Sequence, residues 1–191
     1  MKIFIIVLIV LSQFYCKGRD LPFHNYTIGG DFTLTNQDNQ KFSLKELEGK
    51  VVFLYFGYTF CPDACPLTLS KLNIVFQNLK DKTNLMNVVF ITIDPERDTA
   101  ERLKNYLKYY SYLKPIGLTG TTEEIAKIAK QYNAIYQKAQ SKSKAGYLVD
   151  HSTYTYLIDT HGKVKYLFRH DESVEVITKI TKLLFDTEQI K

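Results

Sequence analysis

Two cysteines, Cys61 and Cys65, stand four residues apart in FGYTFCPDACP (56–66), where a long apolar run gives way to turn-forming residues. A thiolate is both a nucleophile and a soft-metal ligand. The pair could therefore close a disulfide, exchange disulfides with another protein, or hold a metal. If both were helical, the spacing would set their Cβ atoms on one face about 5–6 Å apart, which suits convergence on one ion. A disulfide needs Cβ atoms about 3.5–4.5 Å apart, within reach if Cys61 sits just before the helix. A third group decides between redox chemistry and metal binding, and the chain offers four histidines. His24 lies in an extended lead-in, His161 in a turn and His170 at a strand end beside Asp171. His151 differs: it stands before a strand in YLVDHSTYTYLID, next to Asp150. Neutral imidazole is a common metal ligand, and a carboxylate beside it can orient the ring or approach the metal. From the residues alone, His151 is either a ligand or a satisfied structural histidine.

Several elements must position these groups. VVFLYFGY (51–58) is almost unbroken apolar, β-branched and aromatic, the composition of a strand buried on both faces. The helix expected from Pro66 to Lys80 carries Leu72, Val75, Phe76 and Leu79 at helical spacing. The cysteines thus fall at a strand-to-helix junction, the edge at which open α/β sheets bind ligands. The free amides and partial positive charge of the helix N-terminus favour the thiolate. NVVFITID (87–94) reads as a second buried strand, and Asp98 with Glu101 as a capping box opening the next helix. Within DPERDT (94–99), Asp94, Pro95 and Arg97 read as strand end, turn and ion-pair partner. IGLTG (116–120) is a short strand, and Thr121 with Glu124 caps a helix bearing Ile125, Ile128, Ala129 and Tyr132. STYTYLID (152–159) and KVKYLFR (163–169) are strands joined by a turn, followed by a helix over about 172–185. Upstream, DFTLTNQDNQKF (31–42) is a hairpin, Ser43 and Glu46 cap one helical turn, and QKAQSKSKAG (137–146) reads as an exposed loop. This order predicts an α/β fold of thioredoxin-like type: a mixed central sheet flanked by helices, with an N-terminal hairpin extension.

Composition narrows the function classes. The net charge of +5 comes from 25 Lys and Arg spread among 20 Asp and Glu, with no basic cluster. A nucleic-acid binder gathers its positive charge on one face, so that class is set aside. Residues 1–16, MKIFIIVLIVLSQFYC, hold nine consecutive apolar residues, Ile3 to Leu11, behind a single Lys. That matches a signal or membrane-anchor segment and is short for a membrane span, leaving 17–191 as one domain. Cys16 stands where a bacterial lipoprotein carries its lipidated cysteine, although Gln13 and Tyr15 depart from such a site. An uncleaved anchor and cleavage to a soluble form are the alternatives, and each places the domain outside the cytoplasm. There a close cysteine pair oxidises unless a metal or reductant intervenes.

CPDACP (61–66), VVFITIDPERDT (88–99), IGLTGTTEEIAKIAKQYNA (116–134) and YLVDHSTYTYLIDTHGK (147–163), in this order and spacing, resemble the Sco/SenC family. The resemblance runs from about residue 28 to residue 185. Those proteins are thioredoxin-like and take part in assembling cytochrome c oxidase. The resemblance implies one copper ion, Cu(I) or Cu(II), held by Cys61, Cys65 and His151, with Asp150 as a supporting group or fourth ligand. It implies copper delivery to the copper-bearing subunit of the oxidase, while residues 1–16 are expected to tether the domain to the membrane, facing the bacterial periplasm. It also explains why residues 147–159 contain no proline: Asp150 and His151 occupy the place where disulfide-exchanging relatives of this fold usually carry one.

Three rivals share the same residues. A thiol-disulfide oxidoreductase would use Cys61 and Cys65 catalytically to keep the target's cysteines reduced, and should tolerate loss of His151. A peroxidase would pair one low-pKa cysteine with Cys65 as resolver. Zinc is also served by two cysteines, a histidine and a water or carboxylate; only the family resemblance favours copper.

Overall fold

A computed structural model describes residues 21–140 and 146–189. The expected leader, 1–16, and the possible lipidation site Cys16 lie outside the described residues. Among the described residues no helix is long and apolar enough to cross a membrane.

The strand β3 (Val51–Gly57) is buried along its whole length, as its unbroken apolar run demands. It lies parallel to β4 (Met86–Thr92) through seven matched positions, Val51 opposite Met86 to Gly57 opposite Thr92. On its other side it pairs antiparallel with β8 (Thr155–Ile158), which pairs in turn with β9 (Val164–Phe168). Next to β4 runs parallel β5 (Ile116–Thr119). The hairpin of β1 (Thr33–Asn36) and β2 (Lys41–Ser43) joins that edge through an antiparallel pairing of β1 with β5. The result is a seven-stranded mixed sheet in the order β2-β1-β5-β4-β3-β8-β9, flanked by α1 (Ala64–Asn78), α2 (Ala100–Leu107), α3 (Thr122–Gln131) and α4 (Val174–Glu188). The thioredoxin-like architecture with its added hairpin is as expected.

Burial holds β3 in place. Val51 to Phe56 are each at most 2% exposed, and a buried side chain of this size contributes about 1.5–3 kcal/mol. Phe53 sits between Phe76 of α1 and Phe168 of β9, with ring centroids 5.9 and 6.3 Å away. The end of this strand is therefore a rigid base for whatever follows it.

Local chemistry sets most helix ends. The capping boxes at Ser43 and Thr121 both form. Two expectations are corrected at neighbouring starts. The helix expected to open at Pro66 opens at Ala64, which places Cys65 inside its first turn. The N-cap of α2 is Thr99, whose hydroxyl accepts from the Arg102 amide. Asp98, expected to cap this helix, instead turns inward and is fully buried. An aspartate and a threonine side by side are both good N-caps, so composition could not choose between them.

The largest departure lies in the segment read as an exposed loop. Residues Tyr136–Gln140 form β6 and pair antiparallel with β7 (Tyr147–His151), making a separate two-stranded ribbon. Gln137, Lys138 and Gln140 are exposed, so β6 shows no apolar alternation to read. The strand expected over 152–159 begins only at Thr155, and His151, expected in a loop ahead of it, is instead the last residue of β7.

Candidate metal centre

At Gly57 the chain leaves β3 and turns, with the Cys61 amide donating to the Tyr58 carbonyl at 3.2 Å. Buried Asp98 holds this turn from beneath: its carboxylate accepts from the Thr59 amide at 2.9 Å, the Thr59 hydroxyl at 2.6 Å and the Thr92 hydroxyl at 2.7 Å. Cys61 is half-buried in the loop, and Cys65 is wholly buried in the first turn of α1. The Cys65 amide, one of the donors a helix start leaves free, points at Cys61 Sγ from 3.4 Å. Only glycine fits at position 57, because a Cβ there would stand 2.8 Å from both Cys65 Sγ and the Phe90 ring.

The third member arrives from the ribbon. His151 Nε2 lies 3.8 Å from Cys65 Sγ. Its Nδ1 is 2.9 Å from the Ser152 carbonyl oxygen. A carbonyl can only accept, so Nδ1 carries the proton and the lone pair of Nε2 faces the sulfurs. The rings of Tyr55 and Tyr58 pack edge-on against the imidazole, with centroids 6.1 and 5.9 Å away. Thus the chain's own packing selects the tautomer and ring orientation that a metal ligand needs.

The two Sγ atoms and the imidazole nitrogen all lie within 4.8 Å of one another. Ligands bound about 2.0–2.3 Å from a shared ion stand at most about 4.6 Å apart. Three ligands sharing one ion at those bond lengths stand about 3.5–4.0 Å apart, so the cluster closes on an ion with a shift of about an ångström or less. Among the described residues no other group of three such side chains comes together; His24 and His161 are exposed and His170 is half-buried elsewhere.

Asp150 is not brought into the cluster. Adjacent strand residues face opposite sides, and Asp150 is exposed while His151 turns inward. The imidazole is oriented by the Ser152 carbonyl in the place expected for that carboxylate.

The two thiols differ sharply. A hydrogen bond from the Cys65 thiol, helped by the Cys65 and Asp63 amides, holds the Cys61 thiol well below its ordinary range against the opposing effect of burial. Burial, followed by the neighbouring Cys61, pushes the Cys65 thiol well above it. Iodoacetamide at pH 6 should therefore label Cys61 first and Cys65 far more slowly, as peptide mass spectrometry would record. Equal labelling would contradict this asymmetry.

Other contributors escaped the sequence reading. Tyr58 is buried and its hydroxyl accepts from the Val149 amide at 3.1 Å, tying β7 to the cysteine loop. Tyr55 lies beneath the imidazole. Both belong to an apolar run that reads only as core. In DPERDT, Arg97 pairs with Asp94 as expected, while Asp98 supports the cysteine turn.

The fold and site together define a thioredoxin-like domain with two cysteines at the first strand-to-helix junction and a histidine facing them. The SCO1/SenC family model matches residues 22–185, and the chain belongs to that family. It is 41% identical over 160 residues to an SCO2-like protein of Rickettsia felis, covering 83% of this chain and 77% of that protein. The crystal structure of Arabidopsis thaliana ScoI with copper bound superposes with a TM-score of 0.76 at 36% identity, over 85% of this chain and 99% of that one. The structure of BsSco, described as a member of the Sco family of cytochrome c oxidase assembly proteins with a disulfide switch, gives a TM-score of 0.64 at 28% identity, over 82% and 92% of the two chains.

Proposed function

We propose that this chain is a copper metallochaperone that holds one copper ion between Cys61, Cys65 and His151 and delivers it to the copper-bearing subunit of cytochrome c oxidase. The observation that carries this reading is the convergence of two sulfurs and one correctly protonated imidazole within 4.8 Å. Thiolates select soft Cu(I), and imidazole accommodates Cu(I) or Cu(II). The same donors would also accept zinc; copper is favoured because the ScoI relative was solved with copper bound. Cys61 is the half-buried member of the pair, so an incoming thiol can approach the cargo from that side and displace one ligand at a time. Residues 1–16 would tether the domain, 17–191, to the membrane of a bacterial cell with the site facing the periplasm.

A second reading is favoured by the asymmetric thiols and by the disulfide switch ascribed to BsSco. A low-pKa Cys61 backed by Cys65 is suited to thiol-disulfide exchange, which would keep the target's cysteines reduced before copper arrives.

Titration of the reduced full-length chain with Cu(I) against a competing chelator separates the two. One tight equivalent in the wild type, weakened more than about a hundredfold by His151→Ala, supports the carrier, since even residues outside the ligand set cost about 10–100-fold. Tight binding indifferent to His151 would remove that ligand. If Cu(I) binding is absent while the wild type and His151→Ala reduce a disulfide substrate equally, the exchange reading stands instead.

A further inference from the structure

The strand that carries His151 belongs to a ribbon sharing no backbone ladder with the seven-stranded sheet that positions the cysteines. The cysteine-to-histidine separation is therefore set by the short link of residues 152–154 into β8 together with contacts between side chains and backbone across that gap. One is the Tyr58 hydroxyl on Val149. A second converges on Arg97, in the loop between β4 and α2. Its Nη1 donates to the Tyr147 carbonyl at 3.1 Å. Its guanidinium carbon lies 3.6 Å from the centroid of the Tyr147 ring and 4.5 Å from that of Phe60. Tyr147 is the first residue of the strand that ends at His151, and Phe60 immediately precedes Cys61. One planar group thus touches both arms of the site.

The group is itself held. Arg97 Nε pairs with Asp94, which is 1% exposed, and the other oxygen of Asp94 accepts from the Tyr147 hydroxyl at 2.7 Å. The backbone amides of Arg97 and Asp98 donate to the Asp94 carbonyl at 3.1 and 2.9 Å, so the loop cannot shift without breaking that turn. Arginine suits this place because its flat, rigid fork can stack on two rings and bond edge-on at once, which a lysine ammonium cannot do.

Resting on the metal-binding reading above, we propose that Arg97 is a positioning residue: a clamp between the cysteine loop and the ribbon that sets the distance from His151 to the sulfurs. Arg97→Lys, Arg97→Ala and Tyr147→Leu would be made in the full-length chain. Without metal, the carbon-bound ring protons of His151 report the position of the imidazole, because the neighbouring rings of Tyr55 and Tyr58 shift their NMR signals. Arg97→Lys, which keeps the charge beside Asp94, should move those signals toward the values of an exposed histidine and broaden them. Signals from α4 and β9, away from the clamp, should stay in place. Cu(I) affinity should fall about 10–100-fold, and Tyr147→Leu should act in the same direction. Wild-type His151 signals and wild-type affinity in Arg97→Lys would overturn the clamp. So would changes spread evenly over α4 and β9, which mark a general loss of packing. If Arg97→Ala does not fold, the other two variants decide. If the wild type itself binds no Cu(I), the metal reading fails, and the ring signals alone judge the clamp.

Discussion

Replacing Gly57 with valine is expected to lower the thermal midpoint by about 6–12 °C, corresponding to about 3 kcal/mol of overpacking in a chain of this size. The last residue of β3 faces two groups that have no room to retreat. A Cβ at position 57 would stand 2.8 Å from Cys65 Sγ and 2.8 and 2.9 Å from two atoms of the Phe90 ring. Phe90 is 0% exposed and lies in the middle of β4, while Cys65 is anchored in the first turn of α1. Either the ring or the sulfur must move, and both belong to rigid elements. Gly57→Ala should show the same effect at about 1–3 kcal/mol. Because one of the displaced atoms is a candidate ligand, both variants should also weaken metal capture, with valine the worse of the two. Differential scanning calorimetry and the Cu(I) competition titration read the two consequences separately. An unchanged midpoint in Gly57→Val would mean that Cys65 Sγ does not pack against the end of β3.

The second large effect concerns Asp98. Its carboxylate accepts three hydrogen bonds from Thr59 and Thr92 while fully buried. Asp98→Ala would strand the Thr59 amide and two hydroxyls inside the protein. Each orphaned group costs about 1–3 kcal/mol, and partial relaxation should leave a net loss of about 3 kcal/mol. Asp98→Asn should cost far less, since the amide oxygen can serve Thr59 N and Thr92 while its NH₂ donates to the Thr59 hydroxyl.

The two variants also expose a pH dependence. Burial, opposed by the hydroxyl and amide donors and assisted by nearby Asp94, raises the Asp98 carboxyl above its ordinary value. The folded state therefore binds this proton more tightly than the unfolded chain does. The contribution of Asp98 to stability is fully present below the unfolded value, about pH 3.9, and declines as pH rises through the folded value. Asparagine carries no such dependence. Urea unfolding should thus find Asp98→Asn gaining on the wild type between about pH 4 and pH 7. A gap between the two that is the same at both pH values would show that the carboxyl is not raised.

Much of this protein was legible in its sequence because local chemistry decided it. The unbroken apolar run of 51–57 dictated a strand buried on both faces, and the polar turn after it dictated a junction where a ligand site forms. The Ser43–Glu46 and Thr121–Glu124 pairs satisfied helix-start donors within four residues, so no distant contact was needed to make them certain. The cysteines and His151 were identifiable because soft-metal and redox chemistry is confined to few residue types, and the family resemblance gave His151 its expected role. What the sequence could not reveal depended on contacts far apart along the chain. Whether Asp98 caps its helix or turns inward was settled by Thr59, 39 residues upstream. The partner of the imidazole was settled by strand alternation, which sends Asp150 outward and leaves the Ser152 carbonyl on Nδ1. The β6–β7 ribbon exists through pairing with a distant strand and has no apolar pattern of its own. Residue types and spacing determined which groups could perform the chemistry. The pairing of β8 with β3 and the packing of Tyr55 and Tyr58 against the imidazole bring them together, because Cys65 and His151 stand 86 positions apart and no local propensity acts across that span.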